Sequence, residues 1–168
     1  MSSPVTDYPR NQAYARIWTT RREPITPAEL SDELFARGFV PAFEPARGGV
    51  TMTEAGLAGA KFLPGESGYR IFSLSSSKGS GCVVGIDTST AADLPDDYLA
   101  QRAVPKPKLV YIVQAGGPSN SDRNLCENIA EAIMMASGGV VQMGGLGTKG
   151  NRPSIYTSSW IGEIKAMH

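Results

Sequence analysis

The sequence is poor in the side chains on which most catalytic and metal sites depend. It has a single histidine, His168, which is its last residue. Nucleophilic catalysis by serine or cysteine normally needs a positioned base, and a chain terminus holds that geometry poorly. Histidine is also the commonest metal ligand, and the acidic residues show no recognisable ligand spacing. We therefore expect no enzyme of these kinds, and no metal or other cofactor.

Cysteine is scarce as well: the chain has two, Cys82 and Cys126, which form no CxxC motif. Two thiols in a chain of this size are most simply explained as small buried hydrophobic side chains of a reducing compartment. The alternative is a structural disulfide. We favour the thiols, and so expect a melting temperature that changes neither with reductant nor with chelator.

The chain also lacks an excess of either charge and any long apolar run. Its 16 basic residues balance 16 acidic ones, so no long-range field favours nucleic acid or an anionic membrane. No apolar stretch approaches the roughly eighteen residues of a membrane span. Residues 1–10 contain no apolar segment of the length that a signal peptide needs. We therefore expect a cytoplasmic protein that binds neither membrane nor nucleic acid.

What the sequence does have is a composition typical of a globular protein, with 41% hydrophobic and 19% charged residues. A chain of 168 residues fits one domain of ordinary size. Residues 1–12 carry two prolines and no periodic pattern, so we predict a flexible tail there. Residues 13–168 are predicted to form a single domain.

The clearest local pattern is Thr-Pro-Ala-Glu at residues 26–29, which predicts the start of a helix. The Thr26 hydroxyl can accept a hydrogen bond from the Glu29 amide, while the Glu29 carboxylate can reach back to the Thr26 amide. Gly38 supplies a left-handed residue that ends the helix. Three apolar residues at helical spacing are predicted to form its buried stripe: Leu30, Leu34 and Phe35.

Strands are predicted where β-branched and aromatic residues concentrate or alternate with polar ones: 13–20, 68–75, 82–87 and 108–114. The Gly/Ser-rich connection between the second and third of these is too short for a parallel crossover, so they form an antiparallel hairpin. The fourth is a nearly continuous apolar run, which predicts a central strand buried on both faces. Weaker patterns indicate short strands near residues 50–53 and 61–63.

A second helix is predicted to follow a cap at Ser121 and to end at residues 138–139, which are both glycine. Residues 140–143 then return as a strand, so residues 108–143 form one βαβ unit and residues 13–53 a looser one. Two such units with a hairpin between them predict an α+β fold. We expect a ferredoxin-like or related sandwich, in which a mostly antiparallel sheet carries two main helices on one face.

Two glycine-rich segments are candidate ligand loops. Residues 144–153 place Lys149 and Arg152 among glycines, but the phosphate-loop and dinucleotide-binding motifs are both absent. Residues 115–121 lie between a predicted strand and a predicted helix, where backbone amides can face an anion, although Pro118 removes one amide. We favour plain loops in both places.

Two groups of residues are candidates for contact with a protein partner. Asp93, Asp96 and Asp97 form an acidic turn, which suits a basic partner and is otherwise explained as a solvated turn. Aromatic and basic residues occur together near the end of the chain: Lys149, Arg152, Tyr156 and Trp160. Such residues are typical interface anchors, and the alternative is a last strand with its tryptophan in the core.

The segment Leu-Cys-Glu-Asn-Ile-Ala-Glu-Ala-Ile at residues 125–133 is followed by Ser-Gly-Gly-Val-Val-Gln at residues 137–142. This pair resembles a helix and Gly-Gly-Val-Val strand of small bacterial proteins, some of which are immunity proteins of polymorphic toxin and contact-dependent growth-inhibition systems. The resemblance lies within residues 108–143. It implies a cytoplasmic inhibitor that neutralises a cognate toxin by binding it, and it assigns no catalytic residue.

Three hypotheses about function remain. The first is a protein-binding module, most concretely an immunity-type inhibitor with a toxin as its protein partner. The second is a small-molecule-binding or enzymatic α+β protein that uses residues 115–121 or 144–153. The third is a homo-oligomer, such as a homodimer, that pairs through an exposed sheet edge.

Overall fold

A computed structural model describes residues 13–45, 51–52, 57–65, 68–74, 81–90, 102, 104–115, 120–143 and 154–157. The predicted tail, residues 1–12, lies outside this part of the chain. Seven strands and two helices occur in the described ranges, in this order: β1 (Ala13–Thr19), α1 (Pro27–Ala36), β2 (Pro41–Pro45), β3 (Tyr69–Ser73), β4 (Cys82–Thr88), β5 (Leu109–Ala115), α2 (Asn120–Ser137), β6 (Val140–Met143) and β7 (Ser154–Thr157).

The strands form one sheet in the order β2-β3-β4-β5-β1-β6-β7, and every neighbouring pair is antiparallel. The predicted hairpin is β3 and β4, paired from Tyr69 opposite Val84 to Ile71 opposite Cys82. Strand β5 occupies the centre of the order, and its residues 109–113 are buried on both faces of the sheet, as predicted. The α+β class with an antiparallel sheet is therefore confirmed.

The connections explain how βαβ patterns give a purely antiparallel sheet. Strand β1 pairs with β5 on one side and with β6 on the other, so β5 and β6 are parallel to each other with β1 inserted between them. Helix α2 thus crosses over β1, which makes β5-α2-β6 a split βαβ unit. Strands β1 and β2 are likewise parallel and lie four places apart. Because β2, β3 and β7 extend the sheet beyond four strands, the ferredoxin-like description remains a prediction.

Both helices pack on the same face of the sheet and share its main hydrophobic core. Leu30 and Leu34 come from α1, Ile129 and Ile133 from α2, and all four are fully buried with strand residues in one cluster. Phe62, from the segment between β2 and β3, completes this layer. Its ring meets Tyr69 and Tyr111 edge-on, at centroid distances of 5.2 and 6.5 Å.

The start of α1 confirms one half of the predicted capping box. The Thr26 hydroxyl accepts from the Glu29 amide at 3.1 Å, with Pro27 in the first turn. The Glu29 carboxylate, however, binds the Arg21 guanidinium, and no bond from it to the Thr26 amide occurs among the described residues. A charged donor outside the helix thus replaces the backbone amide, since charge-assisted bonds are the stronger ones.

The two short strands predicted between β2 and β3 have different outcomes. Of the first, near residues 50–53, only residues 51 and 52 are described, and Met52 forms an isolated antiparallel bridge with Phe43 through backbone bonds of 2.9 and 2.6 Å. The second prediction was wrong, because residues 61–63 form no strand. Phe62 lies instead in the core, so the apolar character that suggested a strand serves to bury one aromatic ring.

The two cysteines correct another expectation. Cys82 on β4 and Cys126 on α2 form a disulfide, their Cα atoms are 5.8 Å apart, and both are fully buried. The expectation of free thiols was wrong because sequence separation does not report which core positions face each other. Packing of α2 on the sheet brings them together. The disulfide instead predicts that the stability of the protein depends on reductant.

Reduction of the disulfide should destabilise the protein. The bond joins residues separated by 44 positions in sequence, a loop for which the chain-entropy model gives about 4 kcal/mol. We expect denaturant unfolding at clearly lower concentration after reduction, and an unchanged midpoint with a chelator alone. Coincident curves for the oxidised and reduced chains would show that the bond contributes nothing.

The core position of Ile129 can be tested on its own helix. Ile129→Ala should lower the free energy of unfolding by about 2 to 5 kcal/mol, because the side chain is fully buried and leaves a cavity. Met135→Ala is the matched control, since Met135 lies on the same helix and is 45% exposed. Its loss should be about 0.5 kcal/mol or less. Similar losses at both positions would contradict the observed face of α2.

Candidate functional site

Most residues predicted to contact a partner fall outside the described part of the chain. These are Asp93, Asp96, Asp97, Lys149, Arg152 and Trp160. Tyr156 belongs to β7, where it pairs with Val141, but its side chain is not described. Residues 116–119 and 144–153 of the glycine-rich segments also lie outside. The first segment does join a strand to a helix, as predicted, with β5 before it and α2 after it. These surfaces therefore remain predictions.

The described surface carries five large hydrophobic side chains that are exposed. They are Phe35, Val40, Leu63, Leu74 and Met135. Single exposed apolar residues are ordinary on protein surfaces. Phe35, Val40 and Leu74 are different, because the chain brings all three to the C-terminal end of α1. We call these three residues the α1-end patch; they are 69%, 50% and 53% exposed.

The turn after α1 explains why the patch faces outward. The amides of Gly38 and Phe39 donate to the carbonyls of Phe35 and Leu34, both at 3.0 Å, and Gly38 has a φ of +89°. This left-handed turn directs Phe39 towards the core and leaves Val40 exposed. Leu74, which follows β3, lies opposite Val40, because the Leu74 amide donates to the Val40 carbonyl at 2.9 Å.

Phe35 departs from the predicted buried stripe of α1. Leu30 and Leu34 are four residues apart and share the face that packs on the sheet. Phe35 follows Leu34 directly, so its side chain points about 100° away around the helix. The sequence does not reveal the difference, because all three residues are apolar and occur within two turns.

An ion pair holds this end of α1 in place. Arg37 donates to the Glu131 carboxylate of α2 at 2.5 Å and to the Asn128 side-chain oxygen at 3.4 Å. The Arg37 and Glu131 side chains are only 17% and 19% exposed. A polar contact between the two helices therefore fixes the end of α1 from which the α1-end patch extends.

A second polar network lies at the opposite end of the helix pair. Arg21 makes two bonds of 3.2 Å to the Glu29 carboxylate and one of 3.3 Å to the Ala136 carbonyl. Thr19 donates its hydroxyl to the Ser137 carbonyl at 3.1 Å. Since Glu29 is near the end of α2 while Arg37 is near its middle, the two helices are antiparallel. This network fixes the helix ends and lies away from the α1-end patch.

Tyr111 is a buried acidic side chain in the centre of the sheet. Its hydroxyl is buried and accepts the Ile25 amide at 2.9 Å. Burial raises the pKa of the phenol above its ordinary value, while the Ile25 amide and the nearby Arg21 guanidinium act in the opposite direction. The phenol thus stays neutral and orders the backbone ahead of α1, which is a structural role.

The sheet face opposite the helices has its own small apolar cluster. Trp18, Val104, Val110 and Val140 pack together there, and all are buried. The Trp18 indole N–H is buried without a hydrogen-bond partner in the described part of the chain. No group of three or more potential metal ligands occurs among the described residues on either face.

The outer edge of β2 bears on the hypothesis of pairing through a sheet edge. In an antiparallel edge strand, alternate residues direct their backbone groups away from the sheet. At β2 these are Pro41, Phe43 and Pro45: the prolines have no N–H, and the N–H and carbonyl of Phe43 are bonded to Met52. The β2 edge therefore has no free amide with which to add another strand.

Comparison with protein families, with curated proteins and with solved structures finds no match to this chain. The resemblance to immunity proteins therefore stays a prediction. No helix in the described ranges is both long and apolar enough to cross a membrane.

The role of Tyr111 can be tested by removing its hydroxyl. Tyr111→Phe should reduce the free energy of unfolding by about 1 to 3 kcal/mol near neutral pH, because the buried Ile25 amide loses its acceptor. Tyr69→Phe is the control, since the Tyr69 hydroxyl makes an exposed bond to the Lys61 carbonyl. Equal losses in the two variants would refute the assignment.

The Tyr111→Phe variant also predicts how the stability difference from the wild type changes with pH. A tyrosine in the unfolded chain ionises near pH 10. In the folded chain the pKa of Tyr111 is raised, so its phenol keeps its proton at that pH. The unfolded chain then binds fewer protons, so stability falls as pH rises from about 10 through the pKa of the folded state. We expect the stability difference between wild type and Tyr111→Phe to narrow over this window.

Proposed function

We propose that this chain is a protein-binding module that associates stoichiometrically with another protein through the α1-end patch. The observation that carries the proposal is the exposure of Phe35 in the last turn of α1 and of Val40 and Leu74 in the segment that follows it and the strand end bonded to that segment. Apolar surface in water is unfavourable by about 25 cal/mol per Å², and a partner that covers it recovers that free energy. Larger exposed apolar patches are typical of interaction sites.

The surroundings of the patch also suit binding. Interfaces commonly have an apolar centre, often with an aromatic anchor, and a polar rim. Phe35 supplies the aromatic side chain, and Arg37 with Glu131 supplies polar groups at the same end of α1. Because this ion pair and the bonded turn at Gly38 already order the backbone, little conformational entropy is left to lose on association.

The more specific proposal is an immunity-type inhibitor whose partner is a cognate bacterial toxin. Its support is the resemblance of residues 125–133 and 137–142, which form most of α2 and the start of β6. An inhibitor needs only a complementary surface of about 800 Å² on its own side, and no catalytic group. The acidic turn at residues 93–97 and the aromatic and basic residues at 149–160 remain predicted additional contacts.

The binding proposal is tested with the product of the gene adjacent to its own. We expect a complex near one to one by light scattering, and calorimetry should show that Phe35→Ala weakens it by at least tenfold, or about 1.4 kcal/mol. Met135→Ala is the matched control, because it removes an exposed apolar side chain near the C-terminal end of α2, away from the α1-end patch. Both variants should keep the thermal stability of the wild type.

Two outcomes would overturn the proposal. One is an equal effect of Phe35→Ala and Met135→Ala on affinity, which would place the contact elsewhere. The other is the absence of a complex together with a rise in melting temperature on addition of a nucleotide or metabolite. The glycine-rich segments at 115–121 and 144–153 would then become the site to investigate.

A further inference from the structure

The Cys82–Cys126 disulfide lies in the centre of the fold. Cys82 is the first residue of β4, and Cys126 lies beyond the first turn of α2. Both belong to the main hydrophobic cluster and are fully buried. The bond therefore ties a helix to the sheet beneath it from within the core.

Independent features of the fold hold the two cysteines in position. Cys82 pairs with Ile71 of β3 on one side and with Ala115 of β5 on the other, so the sheet register fixes its direction. Cys126 lies on the apolar face of α2 beside Leu125 and Ile129. The resulting Cα separation of 5.8 Å falls within the usual range for disulfides, about 4.4 to 6.8 Å. The packed elements thus place the two Cα atoms at a separation that suits a disulfide.

The surroundings are those of a structural bond and unlike those of a catalytic thiol pair. Reactive cysteines are partly exposed and have nearby positive charge or a helix N-terminus to stabilise the thiolate. Cys82 and Cys126 lie instead in an apolar cluster with no exposure to solvent. Thiol exchange requires access to sulfur, so a reductant reaches this bond only when α2 opens away from the sheet.

We propose that the chain acquires and keeps this disulfide in its native compartment, which is therefore an oxidising one. In a reducing cytosol, both thiols are exposed to reductants before the core closes, and they stay reduced. In an oxidising compartment, one thiolate attacks the disulfide of an oxidoreductase or small oxidant, forming a mixed disulfide and releasing one oxidant thiolate. The second cysteine thiolate then displaces the remaining oxidant sulfur. Two electrons and two protons pass from the cysteines to the oxidant, whose disulfide is thereby reduced to two thiols.

This inference replaces the expected cytoplasmic location and is independent of the proposed partner. It also changes where binding occurs, since a module of an oxidising compartment meets its partner there. The folded, cross-linked form would be the one that presents the α1-end patch.

Thiol trapping in the native cells tests the proposal. Cells are quenched with acid, the protein is denatured so that buried thiols become accessible, free thiols are alkylated with a maleimide, and the intact mass is measured. We expect most of the wild-type chain to carry no label before reduction and two labels after it. The double variant Cys82→Ala, Cys126→Ala is the control for labelling, because it has no thiol and must carry no label either before or after reduction.

Two results would overturn the proposal. A wild-type chain that is mostly doubly labelled in the quenched cells, yet unlabelled after purification in air, would show that the bond forms only on exposure to oxygen. A chain with one label and a small thiol adduct would show that the two cysteines do not pair with each other. Neither result depends on whether a protein partner binds the patch.

Discussion

Packing of α2 across the central strands is the contact on which the other features depend. Ile129 and Ile133 face the sheet where β1 and β5 lie side by side, and both are fully buried. Once this face is set, the remaining positions of α2 follow from its 3.6-residue period. Cys126 then meets Cys82, Glu131 faces α1, and the last carbonyls of α2 lie next to the end of β1.

The polar contacts complete this packing at the helix ends. A helix leaves its last four carbonyls without partners, and α2 has no basic residue in its own last turn to satisfy them. Thr19, the last residue of β1, donates a hydrogen bond to the Ser137 carbonyl, and Arg21, two residues later, donates one to the Ala136 carbonyl. Arg21 also binds Glu29, so one side chain connects β1, α1 and α2. These contacts hold the start of α1, whereas the Arg37–Glu131 ion pair holds the end of α1 from which the exposed patch extends.

The disulfide and the α1-end patch give complementary information about function. The patch is a surface that a partner can cover, on a backbone held by the Arg37–Glu131 pair. The disulfide lies in the core and indicates the kind of compartment in which the protein presents that surface. Edge pairing is less consistent with the structure at β2, because Pro41, Pro45 and the bridge to Met52 occupy its outer edge.

The sequence by itself determined the elements whose causes are local. The Thr26 cap and Pro27 set the start of α1, the short Gly/Ser connection made β3 and β4 a hairpin, and the apolar run at residues 109–113 made β5 central. Each of these depends on residues within a few positions of one another, through hydrogen bonding, loop length or alternation. The α+β class follows from these elements. The partner-contact residues at 93–97 and 149–160 are predicted from their residue types alone.

Only the tertiary structure decided which distant residues meet. It placed β1 between β5 and β6, paired Cys82 with Cys126, and turned Phe35 to the surface while Leu34 stayed buried. None of these follows from spacing along the chain, because an apolar residue or a cysteine is equally compatible with several neighbours until the elements pack. The physical reason is that a side chain becomes buried only when the helices and the sheet pack together. Several pairings of distant residues are equally compatible with the local sequence, and the one that fills the core without voids is adopted.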